Sequence, residues 1–70
     1  MLGTLGTPLA PRRAAEVHRE IGVAVGILMA TEEIDTGTAF RRLHRAARRL
    51  HRELPEVARH VVGHRRLPET

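Results

Sequence analysis

The segment from Arg41 to Arg52 is the part of this 70-residue chain that most restricts its fold. It holds six arginines, two histidines and no acidic residue. The apolar residues in and just before it recur at steps of three and four, which places them on one stripe of a helix and leaves the arginines around the rest of its surface. In a strand, whose side chains alternate with a period of two, the apolar residues and the arginines would lie on the same faces. The stripe consists of Ala39, Phe40, Leu43, Ala46, Ala47 and Leu50.

The arginines of this helix have no acidic partners within it. Like charges four residues apart on a helix repel each other, and most surface helices relieve this with interspersed acids. The arginines therefore pair with acids of other segments, such as Glu53 or Glu56, stay hydrated, or bind an anionic partner. The formal charge of +4 favours anionic partners generally. A guanidinium group suits bidentate phosphate contact and base stacking.

An earlier segment, from about Arg12 to Glu32, also has helical periodicity. Its run Ile21–Ala30 contains no polar side chain. One helix face cannot hold all of these residues, so we predict a helix covered on two sides, by its own domain and by a second chain. Gly22 and Gly26 each weaken a helix by about 1 kcal/mol relative to alanine, which suggests a close approach between backbones. A strand is the rival interpretation of the run.

The remaining boundaries follow from capping signals. Asp35 or Thr36 suits the cap of the second helix, which we expect to run from 37 to 52. Pro55 suits the first turn of a third helix, which Gly63 would end. Three amphipathic segments with short links predict an all-α fold, a small three-helix bundle that is dimeric through its first helix. We expect a disordered N-terminal segment over 1–11, a three-helix domain over 12–63 and a disordered basic tail over 64–70.

Several classes of protein are disfavoured by what the sequence lacks. It has no cysteine, hence no disulfide and no thiolate metal site. No apolar run reaches the roughly 18 residues of a membrane span, and the opening lacks the charged region of a signal peptide, so we expect a cytoplasmic protein without membrane contact. His60 and His64 have metal-pair spacing but no obvious third ligand. No nucleophile stands beside a base, so we expect no catalysis, cofactor or metal.

The order of certain residues resembles a known family. These residues are the run Ile21-Gly-Val-Ala-Val-Gly-Ile-Leu-Met-Ala30, then Ala39-Phe40, Leu43 and Ala47, and finally His51-Arg-Glu-Leu54 with Val57-Ala58. Together they resemble the ANTAR domain, the RNA-binding output module of bacterial transcription antitermination regulators. The likeness covers roughly residues 17 to 62. Members usually carry a sensory or receiver domain, which residues 1–16 are too few to supply. Three alternatives stay open: a constitutively active module, a module paired with a separate sensory or receiver protein, or the trimmed end of a longer gene product.

The resemblance implies a three-helix module that acts as a homodimer and binds paired small RNA hairpins, whose loop bases it recognises. Binding would hold the leader RNA in a form that excludes the terminator. Arginine suits this role because RNA stems present phosphates and loops present unstacked bases. We expect RNA contacts from Arg41, Arg45, Ala47, Arg48, Arg49, His51 and Arg52, with Ala47 small enough to let a base approach. We expect core or dimer packing from Ile21, Gly22, Val25, Gly26, Leu28, Met29, Phe40 and Leu43.

Two other functions remain open on the sequence alone. Three short helices with a basic helix also describe a helix-turn-helix DNA-binding protein, and phosphate attraction does not separate duplex DNA from RNA. In the second alternative the run Ile21–Ala30 is the functional surface of an oligomerisation or protein-interaction domain, and the arginines only solvate it. Competition between hairpin RNA and duplex DNA separates the first alternative from the RNA hypothesis.

Overall fold

The structure is a computed structural model that describes the backbone of residues 9–69 and the side chains of residues 14–69. It contains three helices: α1 (Leu9–Glu32), α2 (Thr36–Leu50) and α3 (Leu54–His64). Within the described range no residue forms a strand. The predicted all-α, three-helix architecture is therefore confirmed, and the strand interpretation of the run 21–30 is wrong.

The helix ends differ slightly from the predicted ones. α1 begins at Leu9, before the expected start at Arg12. The predicted disordered segment 1–11 lies outside the described residues over 1–8, whereas residues 9–11 belong to α1. α3 continues through Gly63 to His64, because Arg65 and not Gly63 takes the left-handed conformation that ends the helix, with φ 62°.

Local hydrogen bonds fix the starts of α2 and α3. The Asp35 carboxylate accepts a hydrogen bond from the Thr38 amide at 2.8 Å, as the capping signal predicted. At the start of α3, the Glu53 amide donates to Glu56 Oε1 at 3.1 Å, and Pro55 occupies the first turn, where its missing N–H costs nothing. These caps set the direction in which each helix leaves its link.

The three helices meet around a small apolar core. Its largest fully buried side chains are Leu28 of α1, Leu43 of α2, and Val57 and Val61 of α3. Many other core residues are alanines, which let the helix backbones come close together. The buried residues are Ala24, Val25, Leu28, Ala39, Leu43, Ala46, Ala47, Val57, Ala58 and Val61. Ile21 and Met29 are partly buried beside this core.

One face of α1 has no partner among the described residues. Val23 is 46% exposed, and Gly22 and Gly26 are exposed as well. A Cβ atom built on either glycine meets no described atom within 4 Å, so neither glycine serves close packing against the described part of the chain. Among the described residues, the bundle thus covers the run 21–30 on one side only, and none of them supplies the predicted second cover.

The segment after α3 folds back onto the bundle. Leu67 packs against the core and Pro68 is buried, although the sequence predicts a disordered basic tail over 64–70. The carbonyl oxygen of Pro68 accepts a hydrogen bond from Arg49 Nη2 at 3.4 Å. The difference arises because Leu67 and Pro68 find apolar surface on the bundle, whereas the neighbouring Arg65 and Arg66 stay exposed.

Candidate nucleic-acid interface

A groove lined by four arginines and one histidine, here called the cationic groove, runs along the exposed side of α2. It has a volume of about 690 Å³. The lining residues lie three and four positions apart, so they follow the face of α2 that points away from the core. They are Arg41, His44, Arg45, Arg48 and Arg49. Four of the five arginines predicted to contact RNA therefore lie together.

The arginines of α2 differ in how they are held. Arg42 forms an ion pair with Glu32 of α1 and does not line the groove. Arg41 donates from Nη2 to Thr38 Oγ1 at 3.2 Å, and Arg49 is held by the tail. Within residues 14–69, no carboxylate lies within salt-bridge distance of Arg45 or Arg48. These two guanidinium groups can therefore meet an anion without giving up an ion pair.

The end of α2 presents the other predicted RNA contacts differently. His51 has φ 55° and ends the helix, with its own amide directed back to the Ala47 and Arg48 carbonyl oxygens. The His51 and Arg52 side chains are exposed, but neither lines the groove. Ala47 corrects the predicted set: it is 7% exposed and lies in the core cluster. Its small side chain serves the packing of α2 on the bundle, so its methyl group is not available to a base.

Phe40 lies outside the buried core of the single chain. It is 39% exposed, and its ring stacks on that of His44 with the centroids 5.6 Å apart and the planes at 25°. The sequence predicts core or dimer packing for Phe40 because this residue belongs to the apolar stripe. The stripe does not show which of its edges the other helices cover. The sequence places His44 on the basic face of α2, three and four residues from Arg41 and Arg48, although the predicted RNA contacts include His51 and not His44.

The opposite charge is concentrated elsewhere on the molecule. A second groove, of about 550 Å³, lies between the first half of α1 and the start of α3. Its charged lining residues are Glu16, Glu20, Glu53, Glu56 and Arg59. Arg59 Nη1 lies 3.8 Å from Glu20 Oε1. Glu53 and Glu56, considered as partners for the α2 arginines, thus lie in this acidic groove and not beside the cationic groove.

The His60–His64 pair lies near positively charged side chains. The two rings stack with centroids 4.1 Å apart. Partial burial, and then the nearby charges of His64, Arg52 and Arg66, lower the pKa of His60. Among the described residues no group of three or more His, Cys, Asp or Glu side chains is placed to hold a metal ion. The positive neighbours raise the electrostatic cost of a cation here.

The family of the chain follows from a comparison with protein-family models. The ANTAR domain model matches residues 11–62. This chain belongs to the ANTAR domain family. The match contains all of α2 and so the whole cationic groove, but not the tail segment that holds Arg49. Neither a comparison with curated proteins nor one with solved structures gives a match.

ANTAR membership makes this chain one of the RNA-binding regulators of transcription antitermination, which are not a family of enzymes. The fold is consistent with that family because ANTAR domains are helical. None of the described helices combines the length and the apolar character needed to cross a membrane. The predicted resemblance, fold class and general function are therefore confirmed by the family match.

Proposed function

We propose that this ANTAR domain binds paired small hairpins in leader RNA through the cationic groove of α2, and so prevents the terminator from forming. The observation that carries this proposal is the acid-free lining of the groove. Arg45 and Arg48, which have no carboxylate within reach among the described residues, are its central contacts. Hydrogen bonds from charged groups are worth more than neutral ones, so two arginines aimed at phosphates supply much of the affinity.

Hairpin RNA suits this surface better than a uniform duplex. The deep major groove of an RNA stem excludes side chains, whereas loops present unstacked bases beside closely spaced phosphates. The groove is short, because its five residues span two turns of one helix. A short cationic groove fits the strand of a small loop, and holding that loop keeps the stem paired, which excludes the competing terminator stem.

Two hairpins call for two copies of the domain, and the exposed face of α1 is the surface that we propose for a homodimer. Val23, Gly22 and Gly26 lie on this face without a partner among the described residues. Glycines let a second helix approach closely, and the exposed valine then packs against it. Each copy would keep its α2 groove for one hairpin.

The proposal is tested with the double variant Arg45→Ala/Arg48→Ala and labelled two-hairpin RNA. A hydrogen bond to a charged group contributes about 1.5–3 kcal/mol, so we expect the loss of both arginines to weaken binding by roughly 100-fold or more. Fluorescence anisotropy titration measures the affinity. Circular dichroism checks that the helices persist, as they should, because both side chains are exposed.

The matched control is Arg19→Ala/Arg59→Ala, which removes the same formal charge from exposed positions outside the groove. This control should bind RNA only a few-fold more weakly, because it reduces the overall positive electrostatic field of the protein but removes no proposed contact with the RNA. Equal losses in the two double variants would contradict the assignment of the groove. Preferred binding of duplex DNA in a competition titration would favour the helix-turn-helix alternative instead.

A further inference from the structure

Phe40 lies beside the cationic groove and is only partly covered by the rest of the domain. It is the only Phe, Tyr or Trp in the chain. Its neighbour Ala39 is completely buried, whereas Phe40 is 39% exposed and stacks on His44. An exposed aromatic ring costs solvation free energy unless a ligand covers it. The stacked pair thus leaves part of an aromatic side chain exposed at this edge of α2.

The stack and the groove share a side chain. His44 belongs to the stack with Phe40 and also lines the groove beside Arg41 and Arg45. The surface therefore passes directly from an aromatic face to a row of guanidinium groups. A ligand that fits both parts has a planar ring and a negative charge a short distance away. An unpaired nucleotide has this combination, with a base for the rings and phosphates for the arginines.

We propose that Phe40 and His44 form a stacking platform for one unpaired base of an RNA loop, while the arginines of the groove hold the phosphates beside it. This inference rests on the proposed RNA function and adds the site at which a base is received. Stacking on an aromatic side chain is available to every base, so the platform supplies affinity for a splayed-out base. The choice among the four bases is then left to hydrogen bonds from neighbouring side chains.

The test couples a change in the protein to a change in the RNA. Phe40→Leu keeps an apolar side chain for the packed part of the ring and removes its π-face, whereas Phe40→Tyr keeps the aromatic ring. With intact loops we expect Phe40→Leu to bind about tenfold more weakly, and Phe40→Tyr to stay within about twofold of the wild type. A set of RNAs, each with one abasic loop nucleotide, then locates the stacked base.

On the RNA that lacks the stacked base, the wild type and Phe40→Leu should bind equally, because neither has a base to stack. If Phe40 had only a structural role, the affinity difference between the wild type and Phe40→Leu would persist on the abasic RNA. Val62→Ala is the control for trimming an exposed apolar side chain, because Val62 is 40% exposed on α3. It should bind every RNA as the wild type does.

Several results would overturn the platform. Unchanged affinity of Phe40→Leu for the intact RNA is one, and a tenfold defect that persists on every abasic RNA is another. A changed oligomeric state of Phe40→Leu in sedimentation velocity would place Phe40 between two copies of the chain instead. None of these three results concerns the preference of the wild type for intact over scrambled loops, so the proposed RNA function would stand. If the wild type shows no such preference, both the proposed function and the stacking platform are contradicted.

Discussion

Asp35 shows how much depends on a single residue at a helix end. Its carboxylate caps α2 and thereby sets the direction of the helix that carries the cationic groove. Hydrogen bonds from the Thr38 side chain, and then from the Thr38 amide, hold the pKa of Asp35 below its ordinary value. The ionised cap is thus favoured by the folded state. The cap could be predicted from the sequence, because an aspartate directly before a periodic segment is a common N-cap.

We predict that Asp35→Asn makes the protein less sensitive to acid. Because the folded pKa lies below the unfolded one, the stability due to the ionised cap is fully present above about pH 4 and is lost as the pH falls through the folded pKa. Asparagine also caps helices but does not titrate. The melting temperature, followed by circular dichroism over the acid range, should therefore fall less in the variant than in the wild type. Parallel profiles would contradict the pKa shift.

His51 illustrates what the sequence does not reveal at this scale. Each helix ends on a non-glycine residue with positive φ: Glu33 at 55°, His51 at 55° and Arg65 at 62°. The six glycines of the chain lie elsewhere, so Gly63 was a misleading stop signal. Positive φ depends on where the chain must turn to bring the next helix onto the core, and that is decided by tertiary packing.

We predict that His51→Gly stabilises the domain by about 1 kcal/mol, because glycine takes the left-handed conformation without the steric cost of a Cβ atom. Urea unfolding followed by circular dichroism measures this change. The same variant removes the exposed imidazole, so its RNA affinity shows separately whether that side chain contacts RNA as the sequence suggested. A loss of stability would contradict the strain argument.

At the scale of the element, the sequence predicts the centre of the buried stripe of α2 but not the edges of that stripe. Leu43 and Ala46 are buried as their spacing required, and Arg45 and Arg48 point away from them. Phe40 and Ala47 both belong to the predicted stripe, but Phe40 is 39% exposed and Ala47 only 7%. A periodicity of 3.6 defines the centre of a buried stripe. Its width depends on how closely α1 and α3 approach, and this is not encoded in the pattern of α2.

The apolar run of α1 leads to a prediction about its two glycines. A Cβ atom on Gly22 or Gly26 meets none of the described residues, so Gly22→Ala/Gly26→Ala should stabilise the helix by about 1 kcal/mol per site. If a second copy packs closely on this face, the same methyl groups will weaken the dimer. Urea unfolding at low concentration and sedimentation equilibrium measure the two effects. A dimer unaffected by the change, or a wild type that stays monomeric, would contradict the proposed interface.

At the scale of the whole molecule, the charges are separated between two sides. The acidic groove lies between α1 and α3, and the cationic groove lies on α2. The sequence showed that residues 41–52 contain no acid, but not which arginines find partners at a distance. The pairs Arg42–Glu32 and Arg59–Glu20 join different helices, so they depend on the tertiary fold. Among the four arginines that line the cationic groove, Arg41 and Arg49 donate hydrogen bonds to described residues, whereas the side chains of Arg45 and Arg48 have neither a hydrogen bond nor an ion pair there.

Loop-specific RNA binding is the central claim, and a titration of the purified chain tests it most directly. Labelled RNA with two small hairpins is compared with the same stems carrying scrambled loops, at about 0.15 M salt so that long-range attraction is largely screened. We expect the intact loops to bind at least about tenfold more tightly, because phosphate contacts are common to both RNAs and only base contacts differ. Equal, weak binding to both would contradict the claim and leave α2 as a surface for polyanions in general.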